Sequence, residues 1–302
     1  MSWKVSVVNR EGPKPIGGDE IDLSDGVNYL LTGIDGIANA PAARIVERGP
    51  LQHGESDLGF RLQPRKIVLS LLAKGGDDNA WFARREELLR LFHPDDGPVQ
   101  LRITTENMTR QIDCYLSGMM EMPPEIPFSW QKVGIELYCP DPTWYDPVPI
   151  SVPCLIAPFG GGQLTIPLDV PTKVGASSVD RSVVIQYTGT WDAFPIVTIN
   201  GPVTNALIQN NTLGDKLDFT GITIAAGDSY VIDCRYGRKT VTRTSDGANR
   251  IMDLTADSNL ATFRIGAPPT VPFGINSIRV RGSGLTNSSS IFIAYNTRFI
   301  GV

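Results

Sequence analysis

Chemistry by acid–base or nucleophilic catalysis needs particular side chains in reach of one another, and this chain holds few of them. It has two histidines, His53 and His93, neither beside a serine or cysteine motif. A Ser–His or Cys–His relay needs the imidazole next to the nucleophile, and a metal site built from several imidazoles needs more of them. Two histidines in different contexts leave both nearly excluded by count. The four cysteines, Cys114, Cys139, Cys154 and Cys234, fall in no CxxC spacing and near no histidine. They read as reduced, partly buried thiols rather than a zinc site or a disulfide frame. No GxSxG elbow, phosphate-binding loop or GxGxxG turn is present, and Gly160-Gly161-Gly162 lacks the Lys-Ser/Thr and helix that would make it a phosphate cradle. Glycoside hydrolysis needs two carboxylates facing each other across a groove. The adjacent pairs here are Asp19/Glu20, Asp77/Asp78, Glu86/Glu87 and Asp95/Asp96. The second precedes a helix, the third lies on its polar side, and the others sit in turns. Asp246-Gly247-Ala248-Asn249 lacks the oxygen spacing and closing Glu of a calcium loop and reads as a hairpin turn. These residues predict no catalytic set, no cofactor and no metal.

With 302 residues, 41% hydrophobic and 20% charged, the chain is long enough for about two domains, each with its own core. Thirty glycines and 23 prolines point to many turns and short strands. The net charge is −5, and no Lys/Arg tract offers the basic face that a general nucleic-acid binder uses against phosphates. The opening MSWKVSVVNREG has no apolar core of a secretion signal, and no apolar run approaches the about 20 residues that span a bilayer. The expectation is a soluble protein folded in a cytosol, without a membrane partner.

The elements that would position any site are mostly strands. In the first part they are expected at residues 3–8, 27–34 and 60–72, the last containing Pro64, which points to an edge strand or a break there. A hairpin over 98–105 and 110–119 follows, and then a strand at 127–138 with Val133, Ile135 and Leu137 on one face and Phe128, Trp130 and Lys132 on the other. One helix is predicted over 79–92, with Asp77 and Asp78 as cap candidates and His93-Pro94 as its stop. Trp81, Phe82, Leu88, Leu89 and Phe92 project within about 120° and predict one apolar stripe against a sheet. From Trp191 onward, strand-length runs alternate with Gly/Asn/Asp turns at spacings of about 8–12 residues, as in a sandwich or barrel. Those runs include 251–254, 261–265, 277–281 and 291–299. Ile278 and Val280 alternate with Arg279 and Arg281, which is the one-face burial of an antiparallel sheet. The fold class predicted is mainly β. An N-terminal β-rich domain with one helix spans 1–146, residues 147–190 read as a connector with short strands or as strands of the second domain, and an antiparallel β-sandwich spans 191–302.

Specific residues then carry a resemblance. Val133–Asp146 reads VGIELYCPDPTWYD, a strand running into Asp141, Pro142, Thr143, Trp144 and Tyr145. With Phe194-Pro195-Ile196-Val197-Thr198-Ile199, Gly201-Pro202, Ala225-Ala226-Gly227-Asp228, Asp246-Gly247-Ala248-Asn249-Arg250, Gly274-Ile275-Asn276 and the closing Ile293-Ala294-Tyr295-Asn296-Thr297-Arg298-Phe299, it resembles, in order, the distal tail protein family of long-tailed (siphovirus-like) bacteriophages. Asp141, Pro142, Trp144 and Tyr145 match the end of that family's belt domain. The resemblance implies a homo-hexameric ring at the distal end of the tail tube, with belt domains around a channel for DNA as passing cargo. It also implies galectin-like C-terminal sandwiches projecting outward, and partners that are the tube protein, the baseplate or tail-tip hub protein and often receptor-binding proteins. The place implied is the virion, with assembly in the host cytoplasm.

Residues 267–273 (APPTVPF) depart from the family's compact turn. Ala267, Pro268, Pro269, Pro272 and Phe273 are the candidate partner-contact loop, the other reading being a variable surface loop without a partner. A galectin-like fold does not make a lectin. Galectins use His, Asn, Arg, Trp and Glu on one face, whereas residues 191–302 hold no His and only Trp191 among tryptophans. The alternative function, a carbohydrate-binding module assisting host recognition, requires an exposed aromatic platform, for which Trp191, Tyr230 and Tyr236 are the seeds.

Overall fold

A computed structural model describes residues 3–9, 20–75, 78–94, 97–123, 130–156 and 178–302. The cap expected at Asp77, Phe128, the pair Asp95/Asp96, Asp19 and the glycine run 160–162 lie outside the described residues. The chain forms two compact units. One comprises Met1–Pro147 with Phe299–Val302, and the other Val148–Arg298.

The first unit is organised around one antiparallel sheet. Its strands are β1 (Lys4–Asn9), β2 (Glu20–Asp22), β3 (Tyr29–Asp35), β4 (Ala42–Glu47), β5 (Ser56–Leu62), β6 (Arg65–Lys74), β7 (Val99–Thr104), β8 (Thr109–Leu116), β9 (Trp130–Cys139) and β10 (Trp144–Tyr145). The sheet order is β2-β1-β7-β8-β9-β6-β3, with β10 beside β8, while β4 and β5 pair only with each other. Strict alternation in β6 sends Arg65, Ile67, Leu69, Leu71 and Ala73 inward and leaves Lys66, Val68, Ser70 and Lys74 outside. Its partner β9 buries Val133, Ile135 and Leu137, the face expected from the sequence. Pro64, which has no N–H to give a ladder, falls in the gap between β5 and β6.

The helix α1 covers Asp78–Leu91. Its buried side chains are Trp81, Leu88, Leu91 and Phe92, whereas Phe82 and Leu89 are 56% and 47% exposed. The five-residue stripe read from the sequence is corrected in this respect, because the sheet covers only one margin of that apolar arc. Polar bonds fix the margin. The Tyr29 hydroxyl donates to Glu87 (2.8 Å), while Arg84 donates to both Glu87 (3.0 Å) and Asn28 (2.6 Å). Burial first, and then the neighbouring Glu87, raise the Tyr29 pKa above its ordinary value, so the phenol stays a donor.

The second unit is a sandwich of two antiparallel sheets. One has the order β11 (Ile150–Ile156), β20 (Ser290–Tyr295), β13 (Ile196–Asn200), β17 (Ser229–Asp233) and β18 (Thr240–Arg243). The other runs β12 (Ser178–Gln186), β19 (Ile275–Ser283), β14 (Val203–Asn210), β15 (Lys216–Asp218), with β16 (Thr223–Ile224) also on β14. Inward rows such as Val197, Ile199, Ile291 and Ile293 from one sheet meet Ile208, Leu217, Ile278 and Val280 from the other in a single core. Each sheet thus takes one edge strand, β11 or β12, from residues 147–190.

Two runs expected as strands are not strands. Residues 251–254 form a 3-10 turn over Ile251–Asp253, and residues 261–265 carry turn bonds from Thr262 and Phe263 to the Asn259 carbonyl. Phe263 and Ile265 are nevertheless wholly buried, so these apolar residues plug the sandwich from a loop.

The helix margin gives a direct test. Leu88→Ala should cost about 2–5 kcal/mol as a core truncation, whereas Leu89→Ala should stay within about 0.5 kcal/mol, both measured as shifts of the urea midpoint. Equal costs would restore the broader stripe.

Candidate assembly surfaces

Of the resemblance residues that close the first unit, Thr143 and Trp144 are buried and Asp141, Pro142 and Tyr145 half-buried. After β9, the Asp141 carboxylate accepts from the Thr143 N–H (3.1 Å) and hydroxyl (2.7 Å), making a turn after which the chain resumes its course along β8 as β10. Trp144 is completely buried in the first unit's core. The Tyr145 hydroxyl donates to Asp113, and Gln100 donates to both Asp113 and Tyr145 (3.1 Å each).

Above Trp144, 6.0 Å from its ring, lies the Arg65 guanidinium. It is 1% exposed and donates to four backbone carbonyls: Pro142 (2.9 Å), Gly36 (2.6 Å), Ala38 (2.7 Å) and Ile300 (2.6 Å). The planar fork of five N–H donors suits this task. Burial lowers its pKa from the ordinary arginine value. A second arginine, Arg110, donates to the Gly301 carbonyl and lies 3.8 Å over the Phe299 ring. A Cβ at position 301 would come within 2.5 Å of the Ala38 carbonyl oxygen, so only glycine fits without a shift. Val302 completes the closure by donating to the Ile37 carbonyl (3.1 Å). Sequence reading missed Arg65, although the alternation of β6 puts position 65 on the inward row with Ile67 and Leu69.

The proline-rich loop has a buried base and an exposed tip. Ala267 is buried and donates its N–H to Asp192 (2.7 Å), and Val271 is buried and bonds back to the Ala267 carbonyl. Pro268, Pro269 and Pro272 are exposed, and the Pro268–Pro269 bond is cis. Phe273 is 82% exposed, at a φ of 56° in the left-handed region that bulky residues rarely adopt. Beneath it the buried Asn276 side chain accepts from Gly266 (2.8 Å) and Asn210 (3.2 Å) and donates to the carbonyls of Gly266 (2.9 Å) and Gly274 (3.0 Å). A fully bonded buried amide of this kind makes a stiff support for the tip.

The first unit carries exposed apolar groups on several elements. The β4–β5 hairpin displays Ile45, Val46, Leu58 and Phe60, with Leu51 at 95% exposure in its connection. A two-stranded hairpin is marginal by itself in water, and its apolar groups join neither hydrophobic core. The outward rows of β3, β6, β8 and β9 add Leu30, Val68, Tyr115 and Tyr138, the two tyrosines directly opposite each other. Single exposed apolar residues are ordinary; a contiguous set is not.

The seeds of an aromatic sugar platform are dispersed. Tyr230 is buried with its hydroxyl donating to Asp253 (2.7 Å), and Trp191 is half-buried. Tyr236 packs on Phe194 (4.3 Å) with Lys239 held 4.6 Å over the Phe194 ring. A hollow of about 210 Å³ in the second unit is lined by Ser178, Asn205, Thr220, Arg281, Gly282 and Ser283, without an aromatic ring or carboxylate. Among the described residues, no group of three or more His, Cys, Asp or Glu side chains is placed to hold a metal ion.

Residues 18–139 match the family model of the phage tail protein RIFT-related domain. The fold of the whole chain is that of the Dit (gp 19.1) protein of phage SPP1, described as a paradigm of hub adsorption apparatus in phages infecting Gram-positive bacteria. The two share 15% identity at a TM-score of 0.65, over 99% of this chain and 100% of that one. A chain of the phage P2 baseplate in its activated conformation with Ca matches with 12% identity and a TM-score of 0.51, over 100% of both. No curated protein sequence matches significantly. The resemblance to the distal tail protein family and the mainly β fold class read from the sequence agree with these findings.

The closure of the first unit is testable through Arg65. Arg65→Met leaves four carbonyls without their donor. At about 1.5–3 kcal/mol for a hydrogen bond to a charged group, it should lower stability by more than about 3 kcal/mol. The Val302 amide should then exchange its hydrogen markedly faster. Unchanged exchange at residues 299–302 would show that Arg65 does not hold them.

Proposed function

We propose that this protein is a structural, non-enzymatic component of a phage tail. In this reading it forms a homo-hexameric ring that joins the distal end of the tail tube to the baseplate or tail-tip hub and leaves a channel for DNA. The observation that carries the proposal is the likeness of fold to the SPP1 Dit protein over 99% of the chain, together with the match to the phage tail domain model at residues 18–139. The first unit acts as the belt. A closed ring needs head-to-tail interfaces in which one surface of a copy meets a different surface of the next. The apolar hairpin β4–β5 and the outward face of β3, β6 and β9 offer two such surfaces. The galectin-like second unit faces other tail proteins, with Phe273 and the prolines around it as the contact loop. The chain's net charge of −5 suits a wall past which DNA must slide without being held. The place of action is the virion, and assembly takes place in the host cytoplasm.

Native mass spectrometry of the full chain, alone and with purified tail tube protein, should give six copies. Leu58→Asp with Phe60→Asp should give a monomer with unchanged far-UV circular dichroism. Phe273→Asp should keep the ring and lose capture of the hub or receptor-binding protein. A wild-type chain that stays monomeric both alone and on the tube would overturn the ring.

A further inference from the structure

Two of the four cysteines face each other across adjacent strands of the first unit. The β8–β9 register sets Leu116 opposite Leu137 and Tyr115 opposite Tyr138. One step further along the same register, Cys114 stands opposite Cys139. The Ser117 N–H donates to the Glu136 carbonyl (2.7 Å), which marks 117/136 as a hydrogen-bonded pair. Pairs alternate along an antiparallel ladder, so 115/138 is hydrogen-bonded and 114/139 falls on the non-hydrogen-bonded kind, where side chains approach most closely. Such pairs have Cα atoms about 4.5 Å apart, inside the about 4.4–6.8 Å that a disulfide spans. The Cys114 thiol donates to the Val99 carbonyl (3.5 Å) and neighbours the Cys139 thiol, and both are completely buried. Neither is used by the assembly surfaces described above, and the inference does not depend on the function proposed for them.

We propose that Cys114 and Cys139 are a latent cross-strand disulfide, reduced where a thiol buffer is present and closed by exchange with a small-molecule disulfide. One protein thiolate attacks a sulfur of the small disulfide and expels one small thiolate. The second protein thiolate then attacks the protein-bound sulfur of the mixed disulfide and expels the other half. Two protein thiols thereby lose two protons and two electrons, and the small disulfide becomes two thiols. The pair lies at the end of the β8–β9 ladder, so attack needs only local opening of that end rather than global unfolding. The bond would tie β8 to β9 beside Arg65, which pairs with Cys139 in the neighbouring β6–β9 register.

The test is to incubate the full chain with oxidised glutathione in mildly alkaline buffer containing sub-denaturing urea, then count free thiols after denaturation and map the peptides. The expected result is loss of two of the four thiols, with a linked peptide pair containing Cys114 and Cys139. The urea midpoint should rise and return on reduction. In Cys114→Ser and in Cys139→Ser, the remaining thiols should stay titratable and the midpoint should not rise. Four free thiols after prolonged incubation, a stable glutathione adduct on either cysteine without closure, or a linkage through Cys154 or Cys234 would each overturn the proposal.

Discussion

A guanidinium buried without a carboxylate is an expensive thing to fold around, and the first unit is arranged to satisfy it. Desolvating a cation costs several kcal/mol unless its donors are met, and the carbonyls of Pro142, Gly36, Ala38 and Ile300 meet those of Arg65. Those carbonyls come from three separate stretches of sequence, and the guanidinium from a fourth. The stretch after β3, the turn after β9, the inward row of β6 and the segment 299–302 must all be in place together, or a charge is stranded in the core. Trp144 beneath the guanidinium, and Arg110 over Phe299, extend the same cluster. Within the resemblance motif at 141–145, Trp144 packs in the core and the Pro142 carbonyl holds Arg65.

The second unit solves its closure differently. Inward rows of Val, Ile and Leu from its two sheets form a continuous apolar layer, and the buried Asp228 and Asp233 are each paired with an arginine, Arg243 and Arg235. Where the chain must cross from one sheet to the other, neutral amides serve. Asn276 holds the carbonyls of Gly266 and Gly274, and the Tyr187 hydroxyl bridges the Trp191 carbonyl and the Arg298 N–H. Gly274, at a φ of 66°, passes so close to Tyr187 that a Cβ would lie 2.0 Å from its carbonyl oxygen. The unusual backbone at Phe273 is therefore fixed from beneath by polar bonds and from behind by steric exclusion.

The strands were legible wherever burial on one face imposes period two. The inward rows of β9 and β19 can be read directly from Val133, Ile135, Leu137, Ile278 and Val280. Pro64 marked a real break, and the helix ends near His93-Pro94. What failed did so for identifiable reasons. An apolar arc on a helix does not say which margin meets the sheet, so Phe82 and Leu89 were grouped with residues that are buried. The run 261–265 looks like a strand because Phe263 and Ile265, buried from a loop, obey the same burial rule, whereas 251–254 is an apolar turn that buries none of Ile251–Asp253. The hairpin strand β4, AARIVE, shows no alternation because neither of its faces is covered. The surfaces were the least legible part. The loop at 267–273 stood out only by its prolines, and nothing local announces that position 65 gathers carbonyls from across the sequence.

The division of the chain has a consequence for its synthesis. The first unit is interrupted after Pro147 and resumes at Phe299, so its final strip of backbone is encoded behind the whole of the second unit. Translation proceeds at about 5–20 residues per second, which puts roughly 8–30 s between the emergence of Pro147 and that of Phe299. During that interval Arg65 lacks one of its carbonyls, Arg110 lacks its aromatic lid, and the second unit has already had time to collapse. The upstream unit is therefore finished last. A chain that stops short of Phe299 would carry an incompletely closed first unit.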